Sequence, residues 1–335
     1  MDVEKWSFRI GAAALALAVL LRLYSNGFFG AVVNALTAPE TIAAIFVMET
    51  GKMMYAASKE PTIKFEPTLP PAEESVPTPE KPVLRSEDAP LVQVNSLCGY
   101  EADVPAWLEM PLSWELEGQK PTVLILHSHG SESYENTENY KPSGDYRTQD
   151  NRYNMVSVGE ELKRVLEAGG VQVIHDTTLY DCPSYNASYD NARKGIKEAL
   201  NQYPEVSLVL DLHRDAVADS SGNQKKYTVK NGEEIAAQLM MVVGTDARLS
   251  HPQWPENMSL AVKLHALLEK RCPGICRPIS FRSQRFNQDL SSGAMLIEVG
   301  SAGNTRQEAL AAARILGETI LEISHGTTYA EKTES

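Results

Sequence analysis

Strand-like apolar runs alternate with amphipathic helical segments from about residue 91 onward in this 335-residue chain. Residues 123–126 are all apolar, which is typical of a strand covered on both faces of a sheet. The other segments continue the alternation: strands are predicted at 171–174, 206–212 and 295–299, an apolar run at 236–243, and helices at 152–168, 188–201, 258–271 and 305–324. The pattern predicts an α/β domain with a mainly parallel sheet and helices on both faces.

Residues 1–27 are predicted to form a cytoplasmic stub and a single transmembrane anchor. The uninterrupted apolar core covers residues 10–21, and Arg9 and Arg22 at its two ends can extend toward the interfaces. With its flanking aromatic residues the segment approaches the roughly 20 residues that a spanning helix needs. Lys5 and Arg9 before the core predict a cytoplasmic N-terminus. The alternative is a cleaved signal peptide, and both interpretations place the rest of the chain outside the cytoplasm.

The segment that follows, residues 28–90, is predicted to separate the anchor from the globular domain. Its first part, 28–56, is mixed apolar and small and predicts a membrane-proximal helix. From residue 60 to about 90 the chain is rich in Pro, Glu, Ser and Thr, which predicts a semi-extended linker. We therefore expect the globular domain at 91–328 and a short tail at 329–335.

Charge and cysteine content exclude some classes of protein. The net charge of -13, from 31 basic and 44 acidic residues, argues against nucleic acid as a partner because phosphates would be repelled. The four cysteines are too few and too scattered for a disulfide framework, and we expect free or locally paired thiols. Cys272 and Cys276 enclose a short loop, but a zinc knuckle would need two more ligands, and none is visible nearby in the sequence.

Polar clusters follow three of the predicted strands. They begin at His127, Asp211 and Glu298, and they read HSHGSESY, DLHRD and EVGSAGNT. Functional groups of open α/β sheets gather at the carboxyl ends of the strands. If these strands are neighbours, two or three histidines and two carboxylates share one pocket.

This set of side chains suits a catalytic zinc ion. Zinc binds imidazole nitrogen and carboxylate oxygen, polarises a scissile carbonyl and acidifies water, while a further carboxylate acts as general base. The HExxH, Gly-x-Ser-x-Gly and Walker patterns are absent from the sequence. The remaining histidines are predicted to be structural: His175, His251, His265 and His325.

Several stretches resemble one known family. LILHSHGSESY, NRYNMVSVGEEL, HDTTLYDCPSYNASY, VLDLHRDA, QLMMVVGTD, HPQWPEN and RFNQDLSSGAMLIEVGSAGNT occur in order over about residues 95–325. They resemble stage II sporulation protein P of endospore-forming bacteria. That family is similar to the zinc-dependent N-acetylmuramoyl-L-alanine amidases, and the resemblance implies a zinc amidase-like fold, a bound Zn²⁺ and cleavage of the amide between N-acetylmuramic acid and L-alanine.

The resemblance also implies roles for individual residues. His213 matches a zinc ligand, and Glu298 matches the catalytic glutamate, with Gly300 and Asn304 in step. Aligning HSHG with the family turn selects His129 as another ligand, with His127 as the alternative.

The acidic ligand is the weakest assignment in that comparison. Glu132 is favoured because it is close to the histidines, and Asp150, nearer the following helix, is the alternative. Arg214, Arg285 and Asn304 are predicted to bind substrate.

The implied role is remodelling of septal peptidoglycan during sporulation and forespore engulfment. The implied partners are peptidoglycan, stage II sporulation proteins D and M, and the membrane through the N-terminal helix. The implied location is the mother-cell membrane, with the catalytic domain in the septal space. Cleavage of peptide crosslinks is a variant of this activity. The competing hypotheses are a catalytically degenerate wall-binding or scaffold protein and a zinc-dependent deacetylase of wall sugars.

Overall fold

A seven-stranded sheet forms the centre of the computed structural model, which describes residues 81–135 and 140–330, all within one unit spanning 77–335. The strand order is β2-β9-β8-β10-β5-β3-β4. Its strands are β2 (Val94–Ser96), β3 (Val123–Leu126), β4 (Val173–His175), β5 (Leu208–Asp215), β8 (Leu239–Gly244), β9 (Ile279–Arg282) and β10 (Ala294–Ser301). Five α-helices accompany it within the described residues: α1 (Val104–Glu109), α2 (Met155–Ala168), α3 (Ser188–Gln202), α4 (Trp254–Arg271) and α5 (Arg306–Glu322).

Neighbouring strands of this sheet are parallel except for one pair, β8 and β10, which run antiparallel. The prediction of a mixed α/β fold with a mainly parallel sheet is confirmed. The predicted apolar run 236–243 is divided between two elements. Its start belongs to β7 (Glu234–Ala237), which pairs with β6 (Thr228–Asn231) in a separate two-stranded sheet, and its remainder forms β8. The division falls at Gln238, between the two strands.

Alternate residues of the strands face two apolar layers, as the two-residue period of a strand requires. Val123 and Ile125 of β3 pack in the larger cluster, which includes residues of α2, α4 and α5. Leu124 and Leu126 pack instead in a smaller cluster with Ala192 and Ile196 of α3. The helices therefore cover both faces of the sheet, three long ones on one face and α3 on the other.

Two helices begin at capping residues immediately after polar loops. The Asn154 side chain accepts a hydrogen bond from the backbone N–H of Val156 at the start of α2. Thr305 and Glu308 form a reciprocal capping box at the start of α5. These caps satisfy backbone N–H groups that the first helical turn leaves free. They explain why α2 starts at Met155 rather than at 152.

Residues 83–91 belong to the fold, although the sequence predicts that the linker continues to residue 90. Val83–Arg85 forms strand β1, which pairs in parallel with β11 (Thr328–Ala330), and Ser86–Leu91 forms a 3-10 helix. The side chain of Leu84 is fully buried. Pairing with a strand from the far end of the chain gives this proline-containing segment a fixed position that its composition does not reveal.

The predicted anchor, the membrane-proximal helix and the first part of the linker lie outside the described residues. Within the part of the chain that the structure describes, no helix combines the length and the apolar character needed to cross a bilayer.

Leu84→Ala tests whether the 83–91 segment is part of the folded unit. Removing a fully buried leucine should lower the free energy of unfolding by about 2–4 kcal/mol. Val83→Ala is the matched control, because Val83 is 38% exposed in the same strand and its loss should cost less than about 0.5 kcal/mol. Urea unfolding measures both free energies. If both substitutions have equally small effects, residues 83–91 belong to the linker and not to the folded unit.

Candidate active site

The three predicted polar clusters meet at one edge of the sheet, because β3, β5 and β10 are adjacent and parallel. Glu298 on β10 pairs in register with His213 on β5. Asp211, two residues before His213, pairs with Leu126, the last residue of β3. The Ser128 backbone N–H and hydroxyl both donate to the Asp211 carboxylate, at 2.7 and 2.6 Å. The loop after β3 is thereby attached to β5.

His129 and His213 approach each other on the α3 face of the sheet. Their rings are nearly perpendicular, with centroids 5.3 Å apart, and both residues are buried. Tyr185 stacks on His129 at 4.3 Å, and Tyr189 of α3 lies parallel to His213 at 6.2 Å. Nδ1 of His129 is buried and has no hydrogen-bond partner. Burial, with the neighbouring His213, lowers the pKa of His129 to about 3, so this imidazole is neutral.

Glu132 lies beside this pair and is held by two arginines. One carboxylate oxygen, Oε2, is 3.7 Å from Nδ1 of His213 and accepts a hydrogen bond from the backbone N–H of Arg214 at 3.2 Å. The other, Oε1, lies 3.4 Å from Arg147 Nη2 and 3.6 Å from Arg214 Nη1. Arg147 also pairs with the buried Asp181 and covers the ring of Tyr185. The position of Glu132 is therefore fixed from several sides.

The environment of His213 is strongly negative. Its Nε2 lies 2.9 Å from Oδ1 of Asp211, off the direction of a regular hydrogen bond. Burial alone disfavours the charged imidazole, but Asp211, with smaller contributions from Glu132 and Glu298, outweighs it and raises the pKa of His213 to about 9. Three carboxylates surrounding one imidazole form a site that attracts a cation, either a proton or a metal ion.

Glu298 is the third of these carboxylates, and its surroundings differ from those of the other two. The residue is half-buried, and its buried Oε2 has no hydrogen-bond partner. Burial raises the pKa of Glu298 to about 8, opposed by His213 and assisted by Glu132 and Asp215. A carboxylate that neither pairs with an arginine nor accepts a hydrogen bond at Oε2 is free to exchange a proton with a bound molecule.

His127 lies on the opposite face of the sheet from this site. Its Nδ1 is 3.1 Å from the carbonyl oxygen of Leu212, and its Nε2 is 3.0 Å from Nε2 of His175. Gly159 of α2 makes room for both rings, since a Cβ there would lie 2.5 Å from Nε2 of His175 and 2.7 Å from Nε2 of His127. The structure thus separates His127 from His213 and brings His129 to it.

The alternative acidic residue, Asp150, is also placed elsewhere. Its side chain is 36% exposed and forms an ion pair with Arg152, at 2.7 Å between Oδ2 and Nη2. Of the two carboxylates considered for the acidic ligand, the structure brings only Glu132 to His213.

The three residues predicted to bind substrate occupy different environments. Arg214 is buried and donates to the carbonyl oxygens of Ser133 and Tyr146, so it braces the loop that carries Glu132. Asn304 is fully buried, and its amide bonds to Ser301, Tyr227 and Glu308. Arg285 lines a cavity beside the site.

Two cavities flank the histidine pair. One, of about 420 Å³, is lined by Ser131, Arg147, Asp181 and Tyr185 among others. The other, of about 480 Å³, is lined by Tyr189, Arg193, Arg248, Arg285 and Phe286 among others. Tyr185 and Tyr189, which stack against His129 and His213, therefore each border one cavity. A third cavity, of about 400 Å³, is lined by Ser207 and Gly293 among others. These two residues precede β5 and β10, so this cavity lies at the other end of the strands from His213 and Glu298.

His129, Glu132 and His213 are the residues that could hold a metal ion at this edge. Two imidazoles and a carboxylate are suitable donors for zinc, and the buried unpartnered Nδ1 of His129 is a free donor. Their donor atoms do not all lie within 4.8 Å of one another. The donor types therefore fit zinc, while the donor atoms are spaced more widely than in the one group of potential ligands that meets this distance among the described residues.

Four residues that shape the site received no role from the sequence: Asp211, Arg147, Tyr185 and Tyr189. Asp211 stands in the second polar cluster, and its position two before His213 in a strand already places it on the same face. The other three come from loops and α3, and the sequence gives no signal of their approach to the histidines.

Fold and site define a mixed α/β protein with a buried histidine–carboxylate centre at the carboxyl edge of its sheet. The sequence model of the stage II sporulation protein P family matches residues 47–321. That match covers more than half of the chain, and the chain belongs to this family.

A curated relative and solved structures give further similarities. Stage II sporulation protein P of Bacillus subtilis (strain 168) is 27% identical over 217 residues, covering 62% of this chain and 52% of the relative, so the chain spans about half the length of that protein. N-acetylmuramoyl-L-alanine amidase AmiC2 of Nostoc punctiforme is 16% identical, with a TM-score of 0.37, covering 62% of this chain and 96% of that chain. An amidase from Clostridium difficile 630 is 16% identical, with a TM-score of 0.36, covering 61% and 95%. Structural similarities of this strength do not establish a shared activity.

Asn304→Ala tests whether Asn304 contributes to structure or to substrate binding. Its removal leaves the Tyr227 N–H and a buried Glu308 carboxylate without their partner, which should lower the free energy of unfolding by about 2 kcal/mol or more. Thermal or urea unfolding measures this effect. Because the amide is buried, KM for the peptidoglycan substrate that the resemblance implies should stay close to the wild-type value. A raised KM with unchanged stability would support Asn304 as a substrate ligand.

Proposed function

We propose that this protein is a zinc-dependent peptidoglycan hydrolase of sporulation that cleaves the amide between N-acetylmuramic acid and L-alanine. The observation that carries the proposal is the convergence of His129, Glu132 and His213 with the unpartnered carboxylate of Glu298 at one sheet edge. Membership of the stage II sporulation protein P family supports the link to sporulation and the cell wall.

Zinc held by these three residues would supply Lewis-acid polarisation of the scissile carbonyl and would acidify the attacking water. The chain prepares this binding electrostatically. His129 is neutral, as a zinc-binding imidazole must be. The carboxylates around His213 favour the binding of a cation beside it. Asp211, 2.9 Å from Nε2 of His213, orients that ring.

Glu298 is proposed as the general base and acid. Its place in register with His213 brings its carboxylate to the reacting edge, and its free Oε2 can accept a proton from water and donate it to the leaving amide nitrogen. The raised pKa of Glu298 suits the donation step, and a cation held at His213 would lower this pKa enough for the acceptance step.

The two cavities suit a polymeric substrate that extends on both sides of the scissile bond. The larger cavity is lined by Arg193, Arg248 and Arg285. Asp289 pairs with Arg193 at 2.7 Å and with Arg285 at 3.4 Å. Arg248 is exposed. Arginine side chains can bind the carboxylates of a stem peptide. We place the stem peptide on the Tyr189 side and the sugar on the Tyr185 side.

The zinc proposal predicts opposite results for the two pairs of alternative ligands. His129→Ala and Glu132→Gln should each reduce zinc bound at this centre to a small fraction of the wild-type level, because each removes a donor beside His213. His127→Ala and Asp150→Asn should retain it, since His127 lies on the other face and Asp150 pairs with Arg152. Competition with a graded chelator, measured per folded chain, gives the affinity of each variant.

Glu298→Gln should separate metal binding from catalysis. Glutamine keeps the size and hydrogen bonding of Glu298 but cannot carry the proton, so we expect wild-type zinc affinity, near-normal stability and activity lower by about 10²-fold or more. Activity is the release of stem peptide from purified wall, measured by mass spectrometry. Loss of zinc from this variant would make Glu298 a ligand instead.

The same digest distinguishes the competing functions. Free stem peptides that begin with L-alanine, released by the wild-type protein and not by Glu298→Gln, support the amidase. Acetate release would indicate a deacetylase, cleaved crosslinks would indicate an endopeptidase, and wall binding without any product would indicate a degenerate scaffold. Partnership with stage II sporulation proteins D and M and location at the septal membrane remain parts of this proposal.

A further inference from the structure

A second group of potential metal ligands lies at the end of helix α4, away from the candidate active site. His265 and Glu269 are four residues apart on α4 and therefore lie on the same side of the helix. The loop after the helix returns Cys276 to them. One ring nitrogen of His265, one carboxylate oxygen of Glu269 and the Cys276 sulfur all lie within 4.8 Å of one another. Among residues 81–135 and 140–330 this is the group of three such side chains that meets that distance.

The His265 side chain gives an independent indication of a missing ligand. The residue is only 2% exposed, and its Nδ1 is buried with no hydrogen-bond partner. Leaving a buried imidazole nitrogen unpaired is unfavourable unless something else satisfies it. The Glu269 carboxylate and the Cys276 thiol, which lie near a nitrogen of this ring, offer oxygen and sulfur donors beside it.

The loop holds Cys276 in place through Glu269. The backbone N–H groups of Gly274 and Cys276 each donate to the Glu269 carboxylate, at 2.8 Å. These bonds alone would explain Glu269 as an anchor for the loop. They do not explain why a buried imidazole and a thiol converge on that same carboxylate, which is the composition of a metal site with its outer hydrogen bonds already formed.

We propose that His265, Glu269 and Cys276 form a structural zinc site. Nitrogen, oxygen and sulfur donors together suit zinc, whereas magnesium and calcium prefer oxygen alone. Water or a further side chain completes the coordination. Cys272 starts the same loop and is buried, but it is not part of the group. Cys272 therefore provides a matched control in the same loop.

A metal ion at this site would link α4 to the part of the sheet that lies near Glu298. The Leu239 N–H donates to the carbonyl oxygen of Ile275 at 2.8 Å, and the Arg277 N–H donates to that of Leu239 at 2.7 Å. Leu239 in turn pairs with Val299, the neighbour of Glu298 on β10. A metal at Cys276 would thus stabilise the segment beside the strand that carries Glu298.

Cobalt substitution of the full-length protein, purified in detergent with a reductant and stripped of metal, tests this site directly. A cobalt ion bound to a cysteine thiolate gives a charge-transfer absorption in the near ultraviolet, which an ion bound only to His129, Glu132 and His213 cannot give. We expect this band in the wild-type protein, in His213→Ala and in Cys272→Ser. It should be absent from Cys276→Ser and from His265→Ala.

Zinc should also raise the melting temperature of the metal-free protein through this site. With zinc at about one hundred times its Kd, the expected rise in His213→Ala is about 5 °C or more. The double variant His213→Ala/Cys276→Ser should lose this rise, because each centre then lacks a ligand. Because His213→Ala removes a ligand of the other centre, failure of the proposed amidase site leaves these results unchanged. The proposal is overturned if the wild-type protein shows no thiolate band, if Cys276→Ser keeps that band, or if the double variant His213→Ala/Cys276→Ser keeps the zinc-dependent rise.

Discussion

The parallel pairing of β5 with β10 is the interaction on which the rest of the site depends. These two strands lie in the middle of the sheet, and their register places Glu298 directly beside His213. The strands are apolar before those positions and are covered by helices on both faces, so neither can slip without exposing its core residues. A shift of one residue would send His213 to the face where His127 lies. Burial of apolar surface thus fixes the relative position of Glu298 and His213.

Electrostatics at this edge follow from the same burial. Glu132, Asp211 and Glu298 surround His213 where little water can screen them, and only Glu132 is closely balanced by arginines. Burial, assisted by Glu132 and Asp215, raises the pKa of Glu298. Burial lowers the pKa of His213, but the nearby carboxylates, Asp211 first, outweigh it and raise that pKa. A protein that needed only stability would pair these groups or replace them. Their arrangement is more consistent with the binding of a cation and the transfer of a proton.

The parallel sheet, its main helices and the edge that carries the polar clusters could be predicted from sequence, because continuous apolar runs and amphipathic periodicity are local signals. The choice between His127 and His129 could not have been made from alternation, because residues two apart in a strand share a face. The chain leaves β3 after Leu126, and the turn at 128–131 carries His129 to the other face. Other features depend on long-range contacts. Leu84 lies in β1, whose position depends on pairing with β11 from the far end of the chain. The Asn304 side-chain amide forms hydrogen bonds with Tyr227 and Glu308. Arg147 reaches Glu132 through a loop whose path no local pattern specifies.

We propose ligand sites in this protein only at unpartnered buried polar atoms that have other potential donors beside them. His251 also has a buried Nδ1 without a partner, but its Nε2 bonds to Asn257, and it belongs to no group of potential ligands. His129 and His265 differ from His251, because other potential ligands lie beside their rings: His213 beside His129, and Glu269 and Cys276 beside His265. The two groups nevertheless differ in character. The group at His265 combines compact spacing with hydrogen bonds that fix its carboxylate, as a structural ion requires. The group at His129 is more widely spaced and is bordered by cavities and a free carboxylate, as a centre that must admit a substrate requires.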